Sequence, residues 1–342
     1  MSADNAAADG TVPLRNLLNS VRCVRDRVRD GESKEASEDF NMQHFWDALG
    51  QAFKAASQEA TRLSLAFSKP PLPSPDGCDQ LADSIQKSVL ALATVYYWLP
   101  KSQGITLRRM VRDATAEVLG GVAQLIEVIL SSPLQSLSQE QLTSTGGVWS
   151  SCDQFTHLPR DNQMAVLGVL SSCFGVVKDA IEEMEQAQSD SLDPFSDVLD
   201  DEGLDSRGNQ DTYWSEADRR LLSPCQGLMK ASRACLKKLM AAVRGHGRVD
   251  TPESIAQLDD IADITKDISP SVDDLALSLY PPMNYAGVQM NAATLASVLR
   301  KVLQITRASH VCTESELTWV QFLEGAVDHN MQRVTELTQA SV

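Results

Sequence analysis

The stretch GITLRRMVRDATAEVLGGVAQLIEVI, Gly104 to Ile129, decides the fold class. Its apolar residues Leu107, Met110, Val111, Ala114, Val118, Val122, Leu125 and Ile129 recur at steps of three and four. That spacing lays them along one side of an α-helix and along no side of a strand. The same period recurs outward in both directions. Upstream it runs through Leu14, Leu17, Leu18, Val21, Val24 and Val28, with Thr11-Val12-Pro13 as the start. It returns in Phe45, Leu49, Phe53, Ala56, Ala60, Leu63 and Phe67, with Ser37 as a candidate cap. The next run is Leu81, Ile85, Val89, Leu92 and Tyr96, stopped by Pro100. Downstream, a short segment surrounds Trp149, and Asp161 opens a helix with Leu167, Leu170, Val177, Ile181 and Met184. No segment sustains strand alternation, so the class is all-α.

Where the stripes stop, the domains divide. Gln188 to Asp211 carries Pro194, two glycines and few apolar anchors, the composition of a disordered acidic linker. Helical spacing restarts at Tyr213-Trp214-Ser215-Glu216-Ala217-Asp218, where Ser215 and Asp218 stand as a capping box with Asp in place of Glu. Leu221 to Val243 follow, with Pro224 as a kink or a near-start residue; then Ile255 to Ile264, Leu295 to Ile305, and Leu317 to Val334. The expected organisation is a disordered N-terminus (1–10), an N-terminal bundle (11–187), an acidic linker (188–212) and a C-terminal bundle (213–342). Long helices with short connections give antiparallel bundles.

Composition narrows the function classes. Apolar residues form 43% of 342 and aromatics only 5%, a balance that suits packed helices. The first ten residues lack a basic region followed by an apolar one, so no signal peptide is expected. No uninterrupted apolar run approaches the roughly 18 residues of a membrane span, and solubility without membrane contact is expected. Seven scattered cysteines in odd number suit free thiols in a reducing compartment. The net charge of −16 comes from two blocks. Ser189–Asp218 holds ten acids and one base, and Asp250–Asp274 holds eight acids and one base. Such blocks repel phosphate backbones, which argues against direct nucleic-acid binding.

No complete catalytic or ligand set is visible, so neither catalysis, a cofactor nor a metal is expected. His44, His157, His246, His310 and His329 lie far apart, and His310-Val311-Cys312 has no second pair to complete a zinc site. Gly120-Gly121 marks close helix packing rather than a phosphate loop. The proline-rich stretch Lys69–Pro75 reads as a stiff helix connection. Ser189, Ser191 and Ser196 stand among acids as candidate phosphorylation positions. On the helix of Ile255, Leu258, Ile261 and Ile264, the acids Asp259, Asp260, Asp263 and Asp267 are expected to point outward as a negative, partner-binding face.

Four stretches also carry a family resemblance: Tyr96 to Thr115, Lys178 to Ala187, Tyr213 to Asp218, and AQLDDIADITKDISPSVDDLALSLYPPM from Ala256 to Met283. In order and spacing they resemble the cyclin-D-binding protein family, described as GCIP-type or maternal Id-like. The resemblance implies a nuclear and cytoplasmic regulator that binds a D-type cyclin and restrains its kinase complexes, pocket-protein phosphorylation and cell-cycle entry. It adds helix-loop-helix transcription factors and signalling adaptors as partners, and a two-bundle fold similar to talin-rod and I/LWEQ-type modules. The fold likeness brings a second functional class, a talin-like module binding actin or other cytoskeletal proteins. The helix from Asp161 to Ala187, the candidate helix-loop-helix element, has no basic cluster before it and its stripe reads as core. Arg219-Arg220-Leu221-Leu222 contains a cyclin-docking Arg-x-Leu pattern, but its apolar residues fall on a helix stripe. His310-Val311-Cys312-Thr313-Glu314 approximates a pocket-protein motif without its leading Leu.

Overall fold

Alternating apolar and polar turns close into two separate cores. The computed structural model describes residues 3–31, 40–131, 138–190 and 214–339, and among these there are helices and no strands. Residues Met1–Ala165 and Val166–Val342 form two compact units.

The first unit is built from α1 (Ala3–Asp30), α2 (Met42–Ala66), α3 (Pro75–Trp98), α4 (Ile105–Ser131) and α5 (Gln139–Asp153). α1 packs on α3 and α4, while α2 packs on α3 and α5. Leu14, Leu17, Val21, Phe45, Leu49, Phe53, Tyr96, Leu107, Val111, Leu119 and Leu125 are almost wholly excluded from solvent. Gly121 sits where α4 meets α5, and a Cβ there would stand 3.2 Å from Val148 Cγ2. The close-packing role expected of this glycine pair therefore falls on Gly121. Between α3 and α4 the chain turns through Gly104 at φ 113°, a left-handed region that side chains disfavour. The adjacent space is filled by Asn162, whose Oδ1 accepts from the Leu107 N–H at 3.0 Å.

The second unit takes most of α6 (Asn162–Asp190) with α7 (Glu216–His246), α8 (Pro252–Thr265), α9 (Ile268–Ser278), α10 (Tyr285–Ala308) and α11 (Glu314–Gln339). The boundary differs from the expected first bundle over 11–187. Val166, Leu170, Cys173, Val177, Ile181 and Met184 belong to the core that contains Leu228, Leu236, Leu258 and Leu299. Periodicity reveals that a helix has a buried face and leaves open which neighbours cover it. Pro224 lies inside α7 and is buried.

Other local expectations shift for identifiable reasons. α1 begins at Ala3 instead of after a disordered 1–10, in keeping with four alanines in its first turns. α2 is capped by Asn41, whose side chain accepts from the His44 N–H at 2.9 Å; Ser37 lies outside the described residues. The segment around Trp149 is a full 15-residue helix capped by Ser138. The helix through Ile264 ends at Thr265, and α9 restarts at Ile268 with Pro270 in its first turn, where a missing N–H is harmless. The acidic linker expected over 188–212 falls largely on 191–213, outside the described residues; α6 continues through its first three positions. Finally, α4 and α6 are each long and apolar enough to cross a membrane by length and composition. Polar residues dispersed through them hide this from a search for uninterrupted apolar runs. Their main apolar stripes lie within the two cores.

Candidate partner-binding surfaces

The four carboxylates proposed as one outward face do not act alike. α8 starts at Thr251, whose side chain accepts from the Ser254 N–H at 3.1 Å, and it buries Ile255, Leu258, Ile261 and Ala262. Asp259 is buried with them at 6% exposure, so it is no part of an outward face. Its spacing explains this, since 255, 259 and 262 follow one another at four and three residues on one side of the helix. Asp260, Asp263 and Asp267 are exposed. Asp263 is paired with Lys266 at 2.9 Å, which leaves its end of the stripe partly neutralised. Asp267 occupies the cap position of α9 without a side-chain cap bond, and its carbonyl accepts from the Ser271 hydroxyl at 2.7 Å.

On α9, Asp273 and Asp274 are exposed as well. Desolvation, followed by the charges of Asp274 and Glu183, pushes the Asp273 carboxyl above its ordinary range. Two carboxylates, Asp274 on α9 and Glu183 on α6, therefore act on Asp273. The apolar side chains of Leu277, Tyr280 and Met290 are exposed too. Asn291 donates its amide to the Asp274 carbonyl at 3.0 Å, tying the start of α10 to α9 beside Met290. Acids alongside exposed apolar groups suit a basic partner surface with an apolar centre.

Polar pins hold this unit's helix ends. Ser215 and Asp218 form the complete reciprocal capping box at the start of α7. Asp218 also accepts from the Tyr285 hydroxyl at 2.6 Å. Burial raises its pKa, but the bonds from Tyr285 and Ser215 outweigh this and the net shift is downward. Trp214 donates Nε1 to the Leu279 carbonyl at 2.7 Å. His310 Nε2 accepts from the Arg248 N–H at 3.0 Å, and its Nδ1 lies 2.8 Å from Gln257 Oε1. That pair of partners suits the neutral ring protonated on Nδ1.

The first unit has an aromatic hollow of about 840 Å³ between the start of α2 and the turn after α5. The Arg160 guanidinium lies 4.7 Å from the Trp46 ring centre and 5.0 Å from that of Phe155. Trp46 Nε1 donates to the Arg160 carbonyl at 3.2 Å. Stacking of this kind joins residues far apart in sequence and leaves no periodic signal for sequence reading to find.

The short motifs fall on structure that restricts them. Leu221 and Leu222 of the Arg-x-Leu pattern are at 1% and 4% exposure, so docking through them would require unwinding α7. Val311 is buried and His310 is held by its two partners. The stripe of α6 that Id-like pairing would use is buried, with Leu170 and Val177 at 0%. Among the described residues, no group of three or more His, Cys, Asp or Glu side chains is placed to hold a metal. Cys152, Cys225 and Cys235 are buried thiols pushed up to about 12, chiefly by desolvation, far from the thiolate form that nucleophilic chemistry needs.

Comparison with known proteins covers both units. Residues 48–190 match the family model "Grap2 and cyclin-D-interacting, N-terminal", and residues 197–304 match "Grap2 and cyclin-D-interacting, C-terminal". The chain is 60% identical over 342 residues to the Cyclin-D1-binding protein 1 homolog of Danio rerio, covering 99% of each. It is 61% identical over 330 residues to that of Xenopus laevis, covering 96% of this chain and 99% of the relative. With Cyclin-D1-binding protein 1 of Homo sapiens it shares 46% over 342 residues, covering 96% and 94%.

Proposed function

Because this chain belongs to the Grap2 and cyclin-D-interacting family, we propose that it binds a D-type cyclin and thereby restrains the associated kinase acting on pocket proteins. The observation that carries the reading is similarity over nearly the whole length to proteins named for cyclin D1 binding. Such a regulator works where cyclins work, in nucleus and cytoplasm. The exposed acids Asp260, Asp263 and Asp267, together with Asp273 and Asp274, form its encounter surface for a basic patch. Partners that pair through a free helix-loop-helix stripe fit less well, because the α6 stripe is occupied by the second core.

Complementary charge raises the association rate more than it deepens affinity, and screening over about 10 Å at ~0.1 M salt removes the advantage. Stopped-flow mixing with a purified D-type cyclin–kinase complex should show association slowing as salt rises while dissociation stays nearly constant. The triple variant Asp260→Asn, Asp263→Asn, Asp267→Asn should associate about threefold to tenfold more slowly, with its melting temperature unchanged. An association rate indifferent to salt and to the triple variant would remove the acidic surface from the mechanism. Unchanged phosphorylation of a pocket-protein substrate at saturating binding would remove the restraint.

A further inference from the structure

From Arg219 to Val249 the chain carries eight lysines and arginines and no acid, although its net charge is −16. α7 supplies nearly all of that run. Its core side is closed, because Leu228, Leu236, Leu239 and Val243 are wholly excluded from solvent. On the opposite side the helical period gathers Lys230, Lys237 and Lys238 with Ala234, Ala241 and Gly245, all of them exposed. The strip is about four turns long.

Two features separate this strip from an ordinary solvated helix face. Long polar side chains usually fill such a face, whereas here small residues stand between the cations. A Cβ at Gly245 would meet nothing within 4 Å, so no packing inside the second unit requires that glycine. The second feature is availability. Lys230 is paired with Glu185 at 2.8 Å, but among the described residues no carboxylate pairs with Lys237 or Lys238. Arg244 and His246 complement the negative end of the helix dipole. Lys237 and Lys238 lie further back along the helix, outside the last turn to which that effect is confined.

The flanks of the strip limit what can lie on it. Glu185 reaches Lys230 from α6. On the side of α11, a Cβ at Gly227 would strike Asn330, and Glu316 lies 3.8 Å from His246. The cations thus run between two neighbours that carry carboxylates. A nucleic-acid duplex or a bilayer is broader than one helix face and would press its phosphates against those acids as well. A single α-helix, about 10 Å across, is narrow enough for the strip and can come close over its small residues. We propose that this face of α7 binds an acidic α-helix of another protein. The seam of that helix lies over Ala234, Ala241 and Gly245, and its carboxylates meet Lys237 and Lys238. Charge complementarity fixes the register and rejects basic helices. The face is separate from the acids of α8 and α9 and does not depend on their role.

The test uses the full chain and two fluorescent helical peptides, one with an alanine and leucine seam flanked by glutamates, the other with glutamine in place of every glutamate. Anisotropy at ~0.1 M salt should show the glutamate peptide binding about tenfold tighter, a preference that shrinks as salt rises. The double variant Lys237→Gln, Lys238→Gln should remove most of that preference. The double variant Ala234→Gln, Ala241→Gln keeps every charge but puts bulk on the seam, and should weaken the glutamate peptide about threefold or more. All four positions are exposed, so circular dichroism and melting should be unchanged. Equal binding of the two peptides would overturn the proposal, as would a preference indifferent to the lysine pair. Binding that ignores the alanine pair would also overturn it, by reducing the face to diffuse charge. A DNA duplex or phosphatidylserine vesicles bound more tightly than the glutamate peptide would give the face to a phosphate surface and sink the helix. Carbodiimide coupling of Lys237 or Lys238 to carboxylates of residues 193–211 in the chain alone would sink it too, by making the chain's own acids the occupant.

Discussion

The two units solve one problem, fastening helix ends, with different chemistry. The first relies chiefly on rings, permanent charges and neutral amides and hydroxyls, although Asp161 accepts from the Met164 N–H at the start of α6 and Glu117 accepts from the Ser151 hydroxyl. Phe45, Trp46, Phe53, Phe67 and Tyr96 lie in its core, Arg108 and Arg160 stack on aromatic faces, and Ser64, Gln141 and Thr145 join α2 to α5. The second core is largely aliphatic, and two of its pins titrate: Asp218 with Tyr285, and His310 with Arg248 and Gln257. Arginine keeps its charge throughout the stable range of most proteins, whereas a carboxylate and an imidazole do not. Protons should therefore be felt unequally, with the second unit loosening first in acid.

The largest effects test whether the division itself is right. Phe53→Ala should cost about 3–5 kcal/mol and Leu170→Ala about 2–5 kcal/mol, since both side chains are essentially fully buried. Hydrogen exchange should locate the losses differently. Phe53→Ala should weaken protection over 42–131, and Leu170→Ala over 214–339. Loss of protection over 42–131 in Leu170→Ala would return α6 to the first bundle.

Asp218→Asn should have a smaller effect, about 1–2 kcal/mol, confined to the second unit, because it weakens the capping box and the bond from Tyr285. The Asp218 pKa is lowered in the fold, so its contribution is complete above the ordinary carboxyl pKa and lost as pH falls through the folded value. Tyr285→Phe should move the Asp218 titration, followed by carboxyl NMR, back upward. An unmoved titration would show that the phenol is not the cause.

The smallest effect concerns His310. Desolvation chiefly, with Arg248 adding, lowers its pKa from the ordinary 6.5, and Asp250 opposes. The unfolded chain therefore binds the proton more readily, so stability from this group is present above about pH 6.5 and declines as pH falls toward the folded value. His310→Gln should flatten that part of the melting profile of the second unit and leave the first unit's profile as it was. A profile as steep as wild type would assign the acid sensitivity elsewhere.

The helical stripes were legible because 3.6-residue periodicity survives in any amphipathic helix, and the capping box at Ser215–Asp218 was legible because both members lie within four residues. What depends on neighbours was not. The α6 stripe of Leu170, Val177 and Ile181 announces a buried face without saying whose core it enters. Asp259 shares a side with Ile255 and Ala262, so the helical period itself places it inward, against the usual tendency of a carboxylate to face water. The Arg160–Trp46–Phe155 stack joins residues from a helix and a distant turn and has no local signature. The exposed Leu277 and Met290 look like ordinary stripe members until the structure leaves them uncovered.

The turn at Gly104 limits how this sequence can drift. Its backbone lies at φ 113° and the space beside its Cα belongs to Asn162, so any replacement meets two independent objections. Shortening Asn162 would answer the steric one, but it would remove the acceptor of the Leu107 N–H and leave the backbone one standing. No single change elsewhere releases the position, and the two-step route passes through an intermediate worse than either end. Gly104 is in this sense an evolutionary dead end: a residue easily arrived at, then held by a partner 58 positions away.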